Sequence, residues 1–208
     1  MRRALIFLLV ALLSAAIGVT ASAFSGQSSN DANSFQAAAS FCSSPGTQAA
    51  SADADSWIRQ DTPSANFGTD TTLRVRARSG NRNFRALVRF ALPSLPSGCS
   101  VTLAKLRLYA SSAATGRTLE AIQLAAAWTE GGVTWSNQPG TTGAAATTAS
   151  GLGWTEWAAT SQVQAMYSAA NNGFLIRDAA ENSGNAEQRF HSREMAPTNP
   201  PELVITFG

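Results

Sequence analysis

An all-β sandwich is the fold class this sequence predicts, and three observations predict it. Short runs of alternating apolar and polar residues recur along the chain. Gly, Pro, Asn and Asp cluster between them. Only one short segment has helical spacing.

The first 23 residues stand apart from that pattern. Arg2 and Arg3 precede an apolar run over 4–19, and Thr20-Ala21-Ser22-Ala23 closes it with small residues. Basic, apolar and small segments in that order make a cleavable export signal. The run of about 16 residues approaches bilayer-spanning length, so an uncleaved anchor is the alternative to cleavage after Ala23. After the signal no stretch is long and apolar enough to span a membrane, so no membrane association is expected once it is removed. Removing 23 of the 208 residues leaves 185. Residues 24–53, rich in Ser, Ala, Asn and Gln, are expected to form a polar, poorly ordered leader, and residues 54–208 one packed domain.

Within that domain the first strand falls over 56–60, and the next loop, 61–70, holds Pro63, Asn66 and Gly68. In Leu73-Arg74-Val75-Arg76-Ala77-Arg78 the alternation is strict, which buries one face and puts three arginines on the other. Strands over 84–92 and 101–110 are the longest; the second sets Leu103, Lys105, Arg107 and Tyr109 opposite Ala104, Leu106, Leu108 and Ala110. A strand over 118–126 precedes a turn at Gly131-Gly132. Residues 140–153, mostly Ala, Thr and Gly, read as a flexible surface loop. Val163, Met166 and Tyr167 predict one short helix ending before Asn171-Asn172-Gly173. Three strands over 174–177, 188–193 and 203–207 close the domain, the last expected to pair beside an early strand.

Cys42 and Cys99 form an even pair in a chain marked for an oxidising compartment, which predicts a disulfide; two free thiols are the alternative. Two cysteines and one histidine cannot furnish a structural zinc shell, so no metal site of that kind is expected. Without Arg2 and Arg3 the chain has thirteen basic and thirteen acidic residues, which gives no reason to expect a general polyanion binder. The signs are nevertheless segregated. Nine basic residues and no acid lie over 71–119, whereas 120–208 holds eight acids and three arginines. Interleaving of the two halves across strands would neutralise both.

A secreted hydrolase requires a nucleophile with its base, a carboxylate pair or a metal cluster, and none stands out, so no enzyme activity is expected. His191 falls on the strand face opposite Phe190, and no Gly-x-Ser-x-Gly turn presents a serine to it. The Gly-rich phosphate loop of nucleotide sites is missing, and the arginine strand lacks the interleaved aromatics of a nucleic-acid surface. Two features suit sugars. Trp128 and Trp135 flank a loop, and indole rings stack on the C–H face of a pyranose. Arg74, Arg76 and Arg78 recur about every 6.6 Å and could grip successive acidic sugars bidentately. No cofactor is expected; Asp61 and Asp70, at the two ends of one loop, are the carboxylates placed to hold a structural calcium.

An ordered set of segments resembles a known family: Ala54-Asp55-Ser56-Trp57-Ile58-Arg59-Gln60, Asn66-Phe67-Gly68, Leu73-Arg74-Val75, Leu87-Val88-Arg89-Phe90, Leu106-Arg107-Leu108-Tyr109, Trp128-Thr129-Glu130, Val133-Thr134-Trp135-Ser136-Asn137-Gln138-Pro139, Phe190-His191-Ser192-Arg193-Glu194 and Pro200-Pro201-Glu202-Leu203. Together they resemble the DNRLRE-type domain, also classified as carbohydrate-binding module family 96. The resemblance implies a jelly-roll-like antiparallel β-sandwich, non-catalytic, found in secreted bacterial proteins and binding polysaccharides, including acidic ones such as alginate. Separately, Ala23-Phe24-Ser25 and Asn33-Ser34-Phe35 are similar to the processing region of camelysin-type biofilm-fibre proteins. The combined expectation is a secreted binder of extracellular polysaccharide, at the cell surface or in the matrix. The alternative is a self-assembling structural or adhesive fibre subunit that binds protein.

Overall fold

The computed structural model describes residues 41–208. The expected export signal, and the likeness to fibre-processing regions, fall on residues 1–40, outside the described residues. Ten strands form: β1 (Gly46–Arg59), β2 (Thr72–Arg78), β3 (Phe84–Phe90), β4 (Val101–Ser112), β5 (Thr118–Leu124), β6 (Thr141–Ala149), β7 (Gly153–Ala158), β8 (Phe174–Asp178), β9 (Asn185–His191) and β10 (Glu202–Phe207). Among the described residues one helix, α1 (Thr160–Ser168), precedes β8, and a single 3-10 turn (Arg193–Met195) follows β9. No helix among the described residues is long and apolar enough to cross a membrane.

Hydrogen bonding runs in the order β1-β10-β4-β9-β2-β3-β8-β5-β6, with β7 on β4, and all the pairings are antiparallel. β1 also pairs with β3, so its first half borders β10 and its second half closes the path. The all-β sandwich expected from the alternation, with its one helix, is the fold observed, and the C-terminal strand does pair beside the first.

Strand alternation builds the main core. Leu73 and Val75 of β2, Leu106 and Leu108 of β4, Trp157 of β7, Phe174 and Ile176 of β8, Phe190 of β9 and Leu203 and Ile205 of β10 all pack inside it. β3 is buried on both faces: Ala86 and Val88 join this core, whereas Leu87 joins a second one with Ile58, Leu124, Trp128, Val133 and Leu175. The loop between β5 and β6 supplies Trp128 and Val133, and so roofs the outer face of β3 and β8. The second cluster explains why Phe84-Arg85-Ala86-Leu87-Val88 reads as a nearly continuous apolar run.

Two boundaries differ from the sequence reading. β1 begins at Gly46, so residues 46–53, assigned above to the leader, are strand. Their side chains are largely exposed, and pairing of Gly46 with Phe207 through Ser51 with Glu202 holds them by backbone bonds. The expected loop over 140–153 is largely strand β6, paired with β5 at the end of the sheet. An exposed edge strand buries little, so small residues serve there without apolar alternation.

Cys42 and Cys99 are joined, 57 residues apart in sequence. Closing a loop of that size contributes up to about 4 kcal/mol in the chain-entropy model. Replacing both cysteines by serine is expected to lower Tm measurably while leaving the far-ultraviolet spectrum of the sandwich intact. An unchanged Tm would show that the β1–β10 pairing already supplies the constraint.

Candidate functional site

The arginine face of β2 lies against β9. Arg74 is opposite Arg189, Arg76 opposite Glu187 and Arg78 opposite Asn185. Two arginines directly across a ladder repel, and here Glu187 intervenes. Its Oε1 accepts from Arg74 Nε at 2.9 Å and Nη2 at 2.7 Å, and from Arg189 Nε at 2.7 Å. Partial burial works to raise the Glu187 pKa, but the hydrogen bonds from Arg74 and Arg189 win and hold it below the ordinary carboxylate value. Arg76 is only 8% exposed. Its guanidinium lies 3.5 Å from the Phe84 centroid and donates to the Arg82 carbonyl at 2.9 and 2.7 Å. Asp61, at 3.6 Å from Arg76, is bound more closely by Arg59 at 2.6 Å.

The charge balance of this region differs from that of the rest of the domain. Arg59, Arg74, Arg76 and Arg189 share two carboxylates, Asp61 and Glu187. Arg78 and Arg82 form no ion pair among the described residues. Each other arginine among the described residues has a carboxylate of its own: Arg85 with Glu181, Arg89 with Asp53, Arg117 with Asp178, Arg177 with Glu120 and Arg193 with Glu130, while Arg107 has both Glu156 and Glu202. The basic and acidic halves of the chain thus do interleave and neutralise, except around β2 and β9.

The expected tryptophan site is built differently. Trp128 is 7% exposed and its indole N–H donates to the Asn172 carbonyl at 2.8 Å, so most of its ring area lies in the second core. Trp135 is half-buried under Arg85, whose guanidinium stands 4.5 Å from the ring centroid. A 260 Å³ cleft beside Trp128 is lined by Thr129, Gly132, Val133 and Asn137. Arg74, Arg76 and Arg78 share one strand face with Arg189, and Trp128 and Trp135 sit on the β5–β6 loop. The calcium expectation also meets other partners: Asp61 is tied to Arg59, and Asp70 accepts the Trp57 indole N–H at 2.8 Å.

Several of the segments that carry the family resemblance converge on a structural hub. Asn66 Nδ2 donates to the carbonyls of Glu130 and Val133, both at 2.7 Å. A Cβ at Gly68 would collide with the Glu130 carbonyl, so that close approach requires glycine. Glu130 pairs with Arg193 at 2.7 and 2.9 Å and accepts the Asp55 N–H at 2.9 Å, while Asp55 accepts the Arg193 N–H at 2.7 Å. Burial pushes the Asp55 carboxyl up to about 8; the Arg193 N–H opposes the shift, and Glu194 and Glu130 add to it. Oxygens of Asp55, Glu130 and Glu194 lie within 4.8 Å of one another, and the Arg193 guanidinium supplies the positive charge beside them.

Sequence reasoning missed Arg189 and Glu187 as parts of the arginine face. Cross-strand register brings them there, and nothing in the local pattern of β9 announces it. The sequence model of carbohydrate-binding module family 96 matches residues 46–207, which run from the first residue of β1 to the last of β10. No curated protein matches this sequence. With that match over most of its length, the chain belongs to carbohydrate-binding module family 96.

Proposed function

We propose that this protein is a secreted, non-catalytic module that binds an acidic polysaccharide at the cell surface or in the extracellular matrix, through the arginine face of β2 and β9. The observation that carries the reading is the local charge imbalance: four arginines on two carboxylates, with Arg78 and Arg82 beside them. Guanidinium groups bind carboxylates and sulfates in forked pairs, and the strand pair spaces Arg74, Arg78 and Arg189 along a chain of repeating anions, while Arg76, buried on Phe84 and bound to the Arg82 carbonyl, adds its charge from beneath rather than a grip of its own. The amino-terminal basic-apolar-small order and the Cys42–Cys99 bridge support export to an oxidising compartment. Asp61 and Glu187 limit the excess, so the site favours polyanions without becoming an unselective cation.

Affinity electrophoresis in gels containing alginate, pectin or a neutral glucan tests this reading. Retardation by the acidic polymers alone is expected, reduced about tenfold or more in the Arg74→Ala, Arg189→Ala double variant, since each charge-assisted contact contributes on the order of 1.5–3 kcal/mol. Migration unaffected by every polymer would sink the proposal. One observation favours the fibre-subunit alternative. β6 ends the sheet, is largely exposed and holds no charged residue, and such edges accept further strands. Concentration-dependent polymers in sedimentation, without polysaccharide, would favour that second reading.

A further inference from the structure

The face that carries the arginine row continues beyond it. His191 follows Arg189 by two positions in β9 and so shares its face. The His191 ring lies 5.0 Å from Tyr109 of β4, and Tyr109 meets Trp154 of β7 edge to face at 5.5 Å, as its direct cross-strand partner. All three rings are half-buried, while their neighbours Phe190, Leu108 and Thr155 are buried on the opposite side. Strand alternation therefore turns three aromatic rings outward together.

These rings are held in place. The Thr198 carbonyl lies 2.9 Å from His191 Nδ1 and can only accept, so Nδ1 carries the proton and Nε2 of the neutral ring is left as an acceptor. Arg107 stacks 4.3 Å over Trp154 and is fixed by Glu156 and Glu202, each at 2.9 Å. Lys105 and Arg107 here face two carboxylates, so this part of the sheet is aromatic and charge-balanced, where the β2–β9 part is short of acids. Four adjacent strands, β2, β9, β4 and β7, carry the two parts over about 14 Å, three strand spacings.

We propose that Tyr109, Trp154 and His191 form an aromatic subsite that extends the arginine row, so that one acidic polysaccharide chain crosses β2, β9, β4 and β7. Polyuronates present both chemistries the face offers: carboxylates for the arginines, and apolar C–H ring faces for the indole and phenol. Charge complementarity at β2–β9 selects the chain and sets where it starts; stacking at β4–β7 holds the neighbouring sugar, with His191 Nε2 placed to accept from a hydroxyl. The inference rests on reading the arginine face as the glycan site.

Alginate affinity gels on the full chain test it, with Trp154→Ala, Trp154→Phe, Tyr109→Ala and the Arg74→Ala, Arg189→Ala pair, each checked for folding by Tm. Trp154→Ala is expected to weaken retardation about tenfold and Trp154→Phe to retain most of it, because a flat ring remains. Neither should alter the dependence on salt, which the arginine pair should flatten. Wild-type retardation in a folded Trp154→Ala protein would overturn the subsite and leave the arginine face standing. A wild-type protein that alginate does not retard would overturn both, as would retardation by a neutral glucan alone. If Trp154→Ala melts below the assay temperature, Tyr109→Ala decides by the same criterion.

Discussion

Trp57→Ala is expected to destabilise the domain by about 3–5 kcal/mol, the range for deleting a large buried aromatic. Trp57 is 2% exposed, stacks on Phe67 at 4.0 Å, contacts Phe84 at 5.1 Å and donates its indole N–H to Asp70. The loss compares with a typical total of about 5–15 kcal/mol, and at roughly 2–4 °C per kcal/mol it should lower Tm by about 10 °C. The change also reaches the proposed site. The Arg74 guanidinium lies 4.9 Å from the Trp57 ring and Arg76 rests on Phe84, so the arginines are seated on this aromatic stack. The Trp57→Ala protein should therefore bind alginate more weakly even at temperatures where it stays folded. Trp57→Phe restores the stack without the Asp70 bond and should cost less, about 1–3 kcal/mol. A Tm for Trp57→Ala within a degree or two of wild type would show that the stack does not support the fold.

The second large effect is pH-dependent and centres on Asp55, which is 1% exposed and carries a carboxyl raised to about 8 from its ordinary 3.8. A raised carboxyl binds its proton more tightly in the folded state than in the unfolded one. Its contribution is therefore fully present below about pH 4 and is lost as pH rises through about 8. The groups facing it are Glu130, Glu194 and Arg193, and only Arg193 favours ionisation by its charge. The lowered carboxylates Asp61, Glu156 and Glu187 act in the opposite sense and in a different window, losing their contribution as pH falls below the ordinary carboxylate range. Between those windows Asp55 dominates. Urea unfolding should show a loss on the order of 3 kcal/mol from about pH 5 to about pH 8.5, and a much flatter profile in Asp55→Asn. Asparagine keeps an acceptor for the Arg193 N–H and removes the titration. Parallel profiles for the two proteins would mean that the buried carboxyl is not the titrating group.

Strand alternation made much of this fold readable. The pattern of β2 separates Leu73 and Val75 from Arg74 and Arg76, and that of β4 separates Leu106 and Leu108 from Arg107 and Tyr109, both as observed. Where a segment neither alternates nor buries, the signal vanishes. β6 and the start of β1 are ordered by backbone pairing to β5 and β10, which composition does not record. The candidate site was legible only in part for a related reason. Arg74, Arg76 and Arg78 are placed on one face by local periodicity, but Glu187, Arg189 and His191 arrive there through register with a strand more than a hundred residues later. The burial of Trp128 was equally hidden, because it depends on the β5–β6 loop folding back over Leu87 and Leu175. In each case the missing information is long-range pairing, which residue types and their spacing do not carry.

The arginine face is tested most directly by measuring affinity for alginate from about 50 to about 500 mM salt, in the wild-type protein and in Arg74→Ala, Arg189→Ala. Screening should weaken wild-type binding steeply over that range, since the Debye length shrinks from roughly 14 to roughly 4 Å, and the double variant should bind more weakly with a shallower slope. Equal slopes in the two proteins, or wild-type binding indifferent to salt, would contradict an electrostatic grip by β2 and β9.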